Sequence, residues 1–530
     1  MLKSKRVLAG ILSLLVAGAA LGGCQKEETT EPQSGAASQS GTSSQTAGEE
    51  KPDLKALVGY HSGMDYNTYP VSKYLEEKTG YHVTYDTLPA DKPDDKLNAI
   101  MASGADYDFI IYRNKQLYAN YAQQGALTDL EPLVEKYGPN ITKNISKESF
   151  DNFRIGGKYY MIPSMNVNLL KGKETTGKTT ISNSVIIRQD ILEKLGASIP
   201  KTIDEFTALL QRIKDEDPNQ QGAKNIPLVA GNSFGTDFMG MGLGGAFGIA
   251  TSWVDQNGKL VPREELPGFK EYIRYLKELY SKGLLDKEAP ANAANTTKEK
   301  FTSGRAFAFI DGWWDFPALL DAFKKTQPGA EITFLPALSG KLGKAAFGTS
   351  SYENAIDTFL MIPHSSQHAE DVIKYVNLKL DEEIFKGMVL GEEGVDYTVK
   401  DGAYYPILPA FMNDRGNANE YTTGVTKSYS IYWQARVHKD ENLFKAFHQL
   451  NGDYMDMLVV DPISRLPIEI SAQLAQEQTV VNDLTNQFIV QSVTGDFSDE
   501  TYQAFLEQWK SQGGDDIIKK VNDWYATAKK

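Results

Sequence analysis

Ala56-Leu-Val-Gly-Tyr60, Tyr81-His-Val-Thr-Tyr-Asp86 and Tyr107-Asp-Phe-Ile-Ile-Tyr112 are short β-prone runs separated by two helical patterns. In the first gap, Val71, Tyr74 and Leu75 fall at i, i+3 and i+4 behind Pro70, and Gly80 marks the stop. In the second, residues 94–103 put Leu97, Ile100 and Met101 on one face and end at Gly104. Strand, helix and strand twice in succession predict a parallel sheet with helices outside and ligands at the carboxyl ends of the strands. Tyr60, Tyr112 and Arg113 stand at those ends, so they are candidate ligand contacts; each is otherwise a surface residue.

Further along, the pattern repeats in kind. Residues 185–187 read as a strand, and Thr202-Ile-Asp-Glu205 is a capping box opening a helix through Arg212. Residues 226–230, 306–310, 332–335 and 358–362 are further strand candidates. Near the C-terminus, Tyr502, Phe505, Leu506 and Trp509 share one helical face. Ile517, Ile518, Val521, Trp524 and Tyr525 share another, and Gly513-Gly514 splits the two. No internal repeat is visible. The class is α/β, and 530 residues suffice for two large lobes at ~150 residues per domain.

Composition removes several functions. Asp+Glu 69 against Lys+Arg 55 leaves −14, so the cation excess that displaces counterions from nucleic acid is missing. Cys24, the single cysteine, excludes an intramolecular disulfide framework and a cysteine-based zinc site. It follows a basic start (Lys3, Lys5, Arg6), an apolar stretch from Val7 to Leu21 too short for a comfortable span, and Gly22-Gly23. That arrangement resembles a bacterial lipobox, with residues 1–23 as the signal peptide and Cys24 as the lipidated residue. Residues 25–50 lack aromatic and β-branched aliphatic side chains, so residues 24–51 read as a disordered tether. A lipid anchor and tether, without outer-membrane features, point to the outer face of a Gram-positive cell membrane.

Three enzyme-like matches are weak. Gly231-Asn-Ser-Phe-Gly235 has the spacing of a nucleophile elbow, but it runs into Gly240, Gly242, Gly244 and Gly245, poor material for the helix an elbow needs. Those glycines also match GxGxxG, with no strand directly before them and no helix after. His364 and His368 lack the glutamate of a metalloprotease helix. No catalytic residue, no metal and no cofactor is expected.

Four stretches together resemble extracellular solute-binding proteins of family 1, in particular the LipO-like lipoproteins of Gram-positive ABC sugar importers. They are Gly157-Lys-Tyr-Tyr-Met-Ile-Pro163, Ile187-Arg-Gln-Asp-Ile-Leu-Glu-Lys-Leu-Gly196 with Pro200-Lys-Thr-Ile-Asp-Glu-Phe206, residues 301–314 ending in Asp311-Gly-Trp-Trp314, and Gly394-Val-Asp-Tyr397. The resemblance implies a two-lobed, periplasmic-binding-protein-like (type II) fold with crossing hinge strands and a ligand cleft. By analogy, lobe one takes 52–162 plus 345–385 and lobe two takes 163–344 plus 386–530. It implies a monomer that binds a carbohydrate and delivers it to ABC permease subunits. Relatives often carry a calcium loop after the capping-box helix. Here residues 217–225 keep Asp217 and Asn219 but have Gln221 and Asn225, and a single carboxylate argues for a metal-free turn.

A sugar cleft needs aromatic plates beside polar groups. Asp311, Trp313 and Trp314 supply both at a strand end, and in similar proteins the second aromatic stacks on a sugar. Packing between lobe elements is the other reading of the two tryptophans. A glycine at 312 permits a sharp turn before them. Tyr352 and Glu353 precede the returning strand, and Trp433, in a tyrosine-rich stretch, is either a loop aromatic over the cleft or a core anchor. Arg188 reads as a structural ion-pair partner. The competing function is a lipid-anchored hydrolase of cell-surface carbohydrate; no nucleophile or acid pair supports it.

Overall fold

The computed structural model describes residues 51–104, 106–165, 180–350, 356–423 and 431–528. The expected strands form, with shifted edges. β1 (Leu54–Val58), β2 (Val83–Thr87), β3 (Phe109–Tyr112) and β4 (Met161–Met165) belong to one sheet; β5 (Asn183–Arg188), β6 (Ile226–Leu228), β7 (Ala306–Gly312) and β8 (Ile332–Phe334) make a second; β9 (Ile356–Met361) returns to the first.

The first sheet runs β2-β1-β3-β9-β4. β1 pairs in parallel with β2 and β3, as the strand–helix–strand pattern requires. β9 lies antiparallel to β3 and to β4. The register Leu54↔Val83 through Val58↔Thr87 starts β1 two residues earlier than the apolar run and leaves Gly59 and Tyr60 beyond its end. The helices Pro70–Thr79 and Pro93–Ala102 follow in the expected places. Gly80, at φ 71°, closes the former by donating its N–H to the Glu76 carbonyl.

The second sheet runs β8-β5-β7-β6, antiparallel except for β6 beside β7. The capping box between β5 and β6 is complete: Glu205 N–H donates to Thr202 Oγ1 at 3.1 Å, and Thr202 N–H donates to Glu205 Oε2 at 3.2 Å. The helix it opens, Ile203–Glu216, buries Ile203, Phe206, Leu209, Leu210 and Ile213. Full burial of such side chains is worth ~1.5–3 kcal/mol each, an upper bound because the unfolded chain already hides part of that surface. Arg188 ends β5 buried, its guanidinium donating to both carboxylate oxygens of Asp190 at 2.8 and 2.6 Å.

The lobe boundaries taken by analogy need correcting on both sides of β9. Phe347–Thr349 pairs with Leu458–Val460, and Phe347 packs with the second sheet's residues. Conversely, Tyr397, Phe411, Ala418, Tyr421, Tyr432 and Trp433 lie in the same core as Leu54, Val58, Phe109 and Leu360 of the first sheet. From β9 onward the core residues therefore stay with the first lobe past 385, until the chain joins the second at Ala446 and Leu450. Helical periodicity shows which face is buried, not which core buries it, so the sequence could not report where the first lobe ends.

The C-terminal helices Ala475–Thr494, Asp499–Trp509 and Asp515–Ala528 pack on the second lobe's core. Gly513 between the last two has φ 126°, and a Cβ there would stand 2.7 Å from Glu477 Cβ, so both backbone and space call for glycine.

Candidate functional site

The strand ends of the first sheet form a small recess of about 50 Å³, bordered by Tyr60, Tyr66, Tyr112, Arg113, Asn419 and Glu420. Tyr60, Tyr112 and Arg113 come together as expected of parallel strand ends. Their roles differ. Tyr60 is 56% exposed. Tyr112 is a buried wall whose phenol donates to Asp94 Oδ1; burial and that carboxylate hold its pKa above the ordinary tyrosine value. Arg113 is exposed.

Tyr66, Asn419 and Glu420 were not foreseen. Tyr66 Oη donates to Glu420 Oε2 at 3.1 Å, and Asn419 Nδ2 donates to Glu420 Oε1 at 2.7 Å. Tyr66 and Glu420 are 354 residues apart, a pairing no local pattern announces. Burial, then Glu420, pushes the Tyr66 phenol up, so it stays a donor at neutral pH. Beneath it a tyrosine cluster fixes the segment that carries Glu420. Tyr421 Oη donates to the Tyr66 carbonyl at 2.6 Å, and the ring of Tyr421 lies 5.6 Å from those of Tyr66 and Tyr85. Lys379, fully buried, donates to the Tyr421 carbonyl at 2.9 Å.

A second candidate surface lies at the end of β7. Trp314 is 49% exposed. Gly312 before it is extended at φ −89° and ψ 155°, so the expected glycine turn is corrected. Glycine is needed instead because the indole of Trp314 folds back over it: a Cβ at 312 would stand 2.4 Å from Trp314 Cζ2. Trp313 meets Trp314 edge to face at 5.6 Å and Phe447 at 4.9 Å, which makes it the half-buried support of the exposed ring. Asp311 is partly buried 3.3 Å from Lys298, which also bridges to Asp315 at 2.9 Å. Burial raises the Asp311 carboxyl, against the N–H of Gly312 donated to it at 2.8 Å.

Trp433 is not an open plate. It is 7% exposed and packs edge to face on Phe385 at 6.3 Å, so the core-anchor reading holds for its ring. Tyr352, Glu353 and Cys24 lie outside the described residues.

Residues 60–383 match the model of the bacterial extracellular solute-binding proteins. The chain belongs to that family. The lipoprotein LipO of Bacillus subtilis (strain 168) is 24% identical, with 98% of each chain covered. The polygalacturonan/rhamnogalacturonan-binding protein YtcQ of the same organism is 22% identical, with 99% of each chain covered. In structure the fold matches the Streptococcus pneumoniae ABC-transporter substrate-binding protein FusA in complex with kestose. The TM-score is 0.68 at 19% identity, covering 90% of this chain and 99% of that one. The fold is thus the two-lobed α/β fold of solute-binding proteins.

A solute-binding protein does not need the enzyme-like motifs, and the structure accounts for each. A short helix, Phe234–Phe238, does follow Ser233, against the expectation that the glycines would forbid one. Ser233 Oγ donates to Asp237 Oδ2 at 2.6 Å, so no imidazole activates it. Gly244 and Gly245 are seats for close packing: a Cβ at 245 would stand 2.6 Å from the Ala346 nitrogen. His368 Nδ1 pairs with Asp108 Oδ1 at 3.0 Å.

The loop at 217–225 is closed by its own bonds. The Asp217 carboxylate accepts the N–H of Gln221 at 2.9 Å and of Gly222 at 2.7 Å. Asn219 and Asn225 donate their amides to the carbonyls of Gly304 and Ile213 at 3.0 and 2.7 Å. The Lys194 ammonium donates to the Pro218 carbonyl. One carboxylate, already engaged, with an ammonium at the same turn, does not fit a calcium ion's need for several free oxygens.

Proposed function

We propose that this solute-binding protein captures an oligosaccharide between its lobes and hands it to the membrane subunits of an ABC importer. The observation that carries this reading is Trp314, a half-exposed indole held rigid on Gly312 and Trp313 at a strand end. Such a plate offers a sugar's CH face a large contact at little cost in conformational entropy. The polar recess of Tyr60, Arg113 and Glu420 supplies the edge-on hydrogen bonds that a sugar also needs. Relatives support the class: YtcQ is named for binding pectic polysaccharides, and FusA has been solved with kestose. Lipidation at Cys24 would tether the body to the outer face of the membrane through residues 25–51. The protein acts as a monomer, and its acidic balance leaves nucleic acid without a role.

Isothermal titration and thermal shift against an oligosaccharide panel test the reading. A true ligand raises Tm by mass action, and lobe closure lowers the radius of gyration in small-angle scattering. Failure of every saccharide to shift Tm or release heat would overturn it.

A further inference from the structure

Glu420 lines the recess with acceptor capacity that its neighbours do not exhaust. A carboxylate offers about four lone-pair positions. Tyr66 Oη occupies one on Oε2, and Asn419 Nδ2 occupies one on Oε1. Each oxygen keeps room for a further donor, while the two bonds hold the group from both sides. The backbone behind it is also held, by Tyr421 Oη on the Tyr66 carbonyl and by the Lys379 ammonium on the Tyr421 carbonyl. The acceptor is thus in place before a ligand arrives, which spares the cost of ordering it on binding.

Among the described residues that line the recess, Glu420 is the only acid and Arg113 the only base. They are not equal opposites: Glu420 is half-buried, whereas Arg113 is exposed, where salt and water screen it. The two buried phenols have spent their protons, Tyr66 on Glu420 and Tyr112 on Asp94. The recess therefore presents acceptors and a negative charge. Hydroxyl protons complement that surface, and a second anion is repelled by it. Size narrows the ligand further. A water-sized group needs ~10–15 Å³, so a recess of about 50 Å³ holds a few such groups and not a whole sugar ring.

Resting on the carbohydrate reading above, we propose that the recess takes the edge of one uncharged sugar unit. Glu420 accepts from two neighbouring hydroxyls of that unit, one on each carboxylate oxygen, and its charge excludes uronic and sulfated units from this position. The ring itself stays outside, against the exposed Tyr60. A site built to pair a hydroxyl discriminates strongly against a ligand that lacks it, because its polar group is then left unmet.

The test uses the whole protein with neutral trisaccharides of the gluco, galacto, manno and fructo series, their singly deoxygenated forms, and hexuronate trisaccharides of the galacto, gluco, manno and gulo series. The tightest neutral trisaccharide is expected to bind at least ten-fold more tightly than any uronate. Loss of either of two neighbouring hydroxyls should weaken it ten-fold or more. E420Q should weaken the intact trisaccharide at least ten-fold. Because glutamine keeps one acceptor, at least one of the two deoxygenations should then cost less than three-fold. Circular dichroism and Tm check folding. E420D, which keeps the charge but draws it back by one methylene, carries the test with the same ten-fold loss if E420Q unfolds. A uronate or sulfated trisaccharide that binds as tightly as the best neutral one overturns the assignment and leaves the carbohydrate reading standing. So does an E420Q affinity within three-fold of the unaltered protein, or an E420Q that weakens intact and deoxygenated forms alike. Binding of no trisaccharide overturns this assignment, and silence across the wider oligosaccharide panel overturns the carbohydrate reading as well.

Discussion

The recess of the first lobe and the Trp314 plate of the second are built in opposite ways. Glu420 reaches the recess because Tyr66, Tyr421 and Lys379 hold its segment through contacts spanning tens to hundreds of residues. Trp314 is held by its immediate neighbours, Gly312 and Trp313, with Phe447 behind them. The first arrangement couples a binding surface to a core; the second sets a side chain on a strand end. Damage to the recess supports should therefore register in folding stability, and damage to the plate in affinity alone.

The largest effect is expected at Lys379. Burial lowers its ammonium to about 7, well under the ordinary lysine value of 10.5. Between those two values the unfolded chain holds a proton that the folded chain does not, so stability rises with pH across that interval. One such group contributes a slope of up to about 1.4 kcal/mol per pH unit. Urea melts at pH 7, 8 and 9 should show the rise, and K379M should flatten it. A slope unchanged in K379M would mean the charge is relieved some other way, and the contrast with the plate would weaken.

Trp314→Ala comes next. Losing a stacking aromatic should cost roughly 2–4 kcal/mol of binding, as truncated hot spots do. At 49% exposure it leaves no sealed cavity, so Tm should hardly move. A collapsed Tm with unchanged affinity would make Trp314 a structural residue and leave Tyr60 as the exposed aromatic of the site.

This division also marks what could be read before folding. The helix at 70–79, the start of the helix at Ile203 and the parallel start of the first sheet rest on local periodicity and caps, and were legible. Tyr66 with Glu420, and the place of Tyr397, Phe411, Tyr421 and Trp433 in the first core, depend on pairs far apart in the chain, where one sequence carries no signal. Gly312 shows a subtler limit. A glycine at a strand end has more than one use, and only the structure reveals a seat for an indole rather than a turn.

That seat yields a smaller, sharper test. Gly312 is extended at φ −89°, so alanine meets no backbone strain. Its Cβ, however, would fall 2.4 Å from Trp314 Cζ2, and the ring must rotate away. Tilting it off its rotamer costs about 0.5–1.5 kcal/mol, to be read as a several-fold loss of affinity with Tm nearly constant. Equal affinity in G312A would show that the ring's seat does not set its binding pose.

The smallest effect is expected at the loop following the capping-box helix, and it concerns a metal. Asp217 and Gln220 sit in the left-handed region at φ 41° and 57°, a shape that a bound cation could hold from outside. Here the chain holds it from within: Asp217 accepts two backbone N–H groups, Asn225 donates to Ile213, and the Lys194 ammonium lies on the Pro218 carbonyl. Calcium would have to displace that ammonium and compete for a carboxylate already committed, with no second acid to add. Adding calcium or a chelator should therefore leave Tm where it is. Lys194 is exposed, so K194M should cost less than about 1 kcal/mol, as exposed charge contacts do. If millimolar calcium instead raised the Tm of the unaltered protein and not of Asp217→Asn, the internal bonds would be the substitute state and the ion the native one.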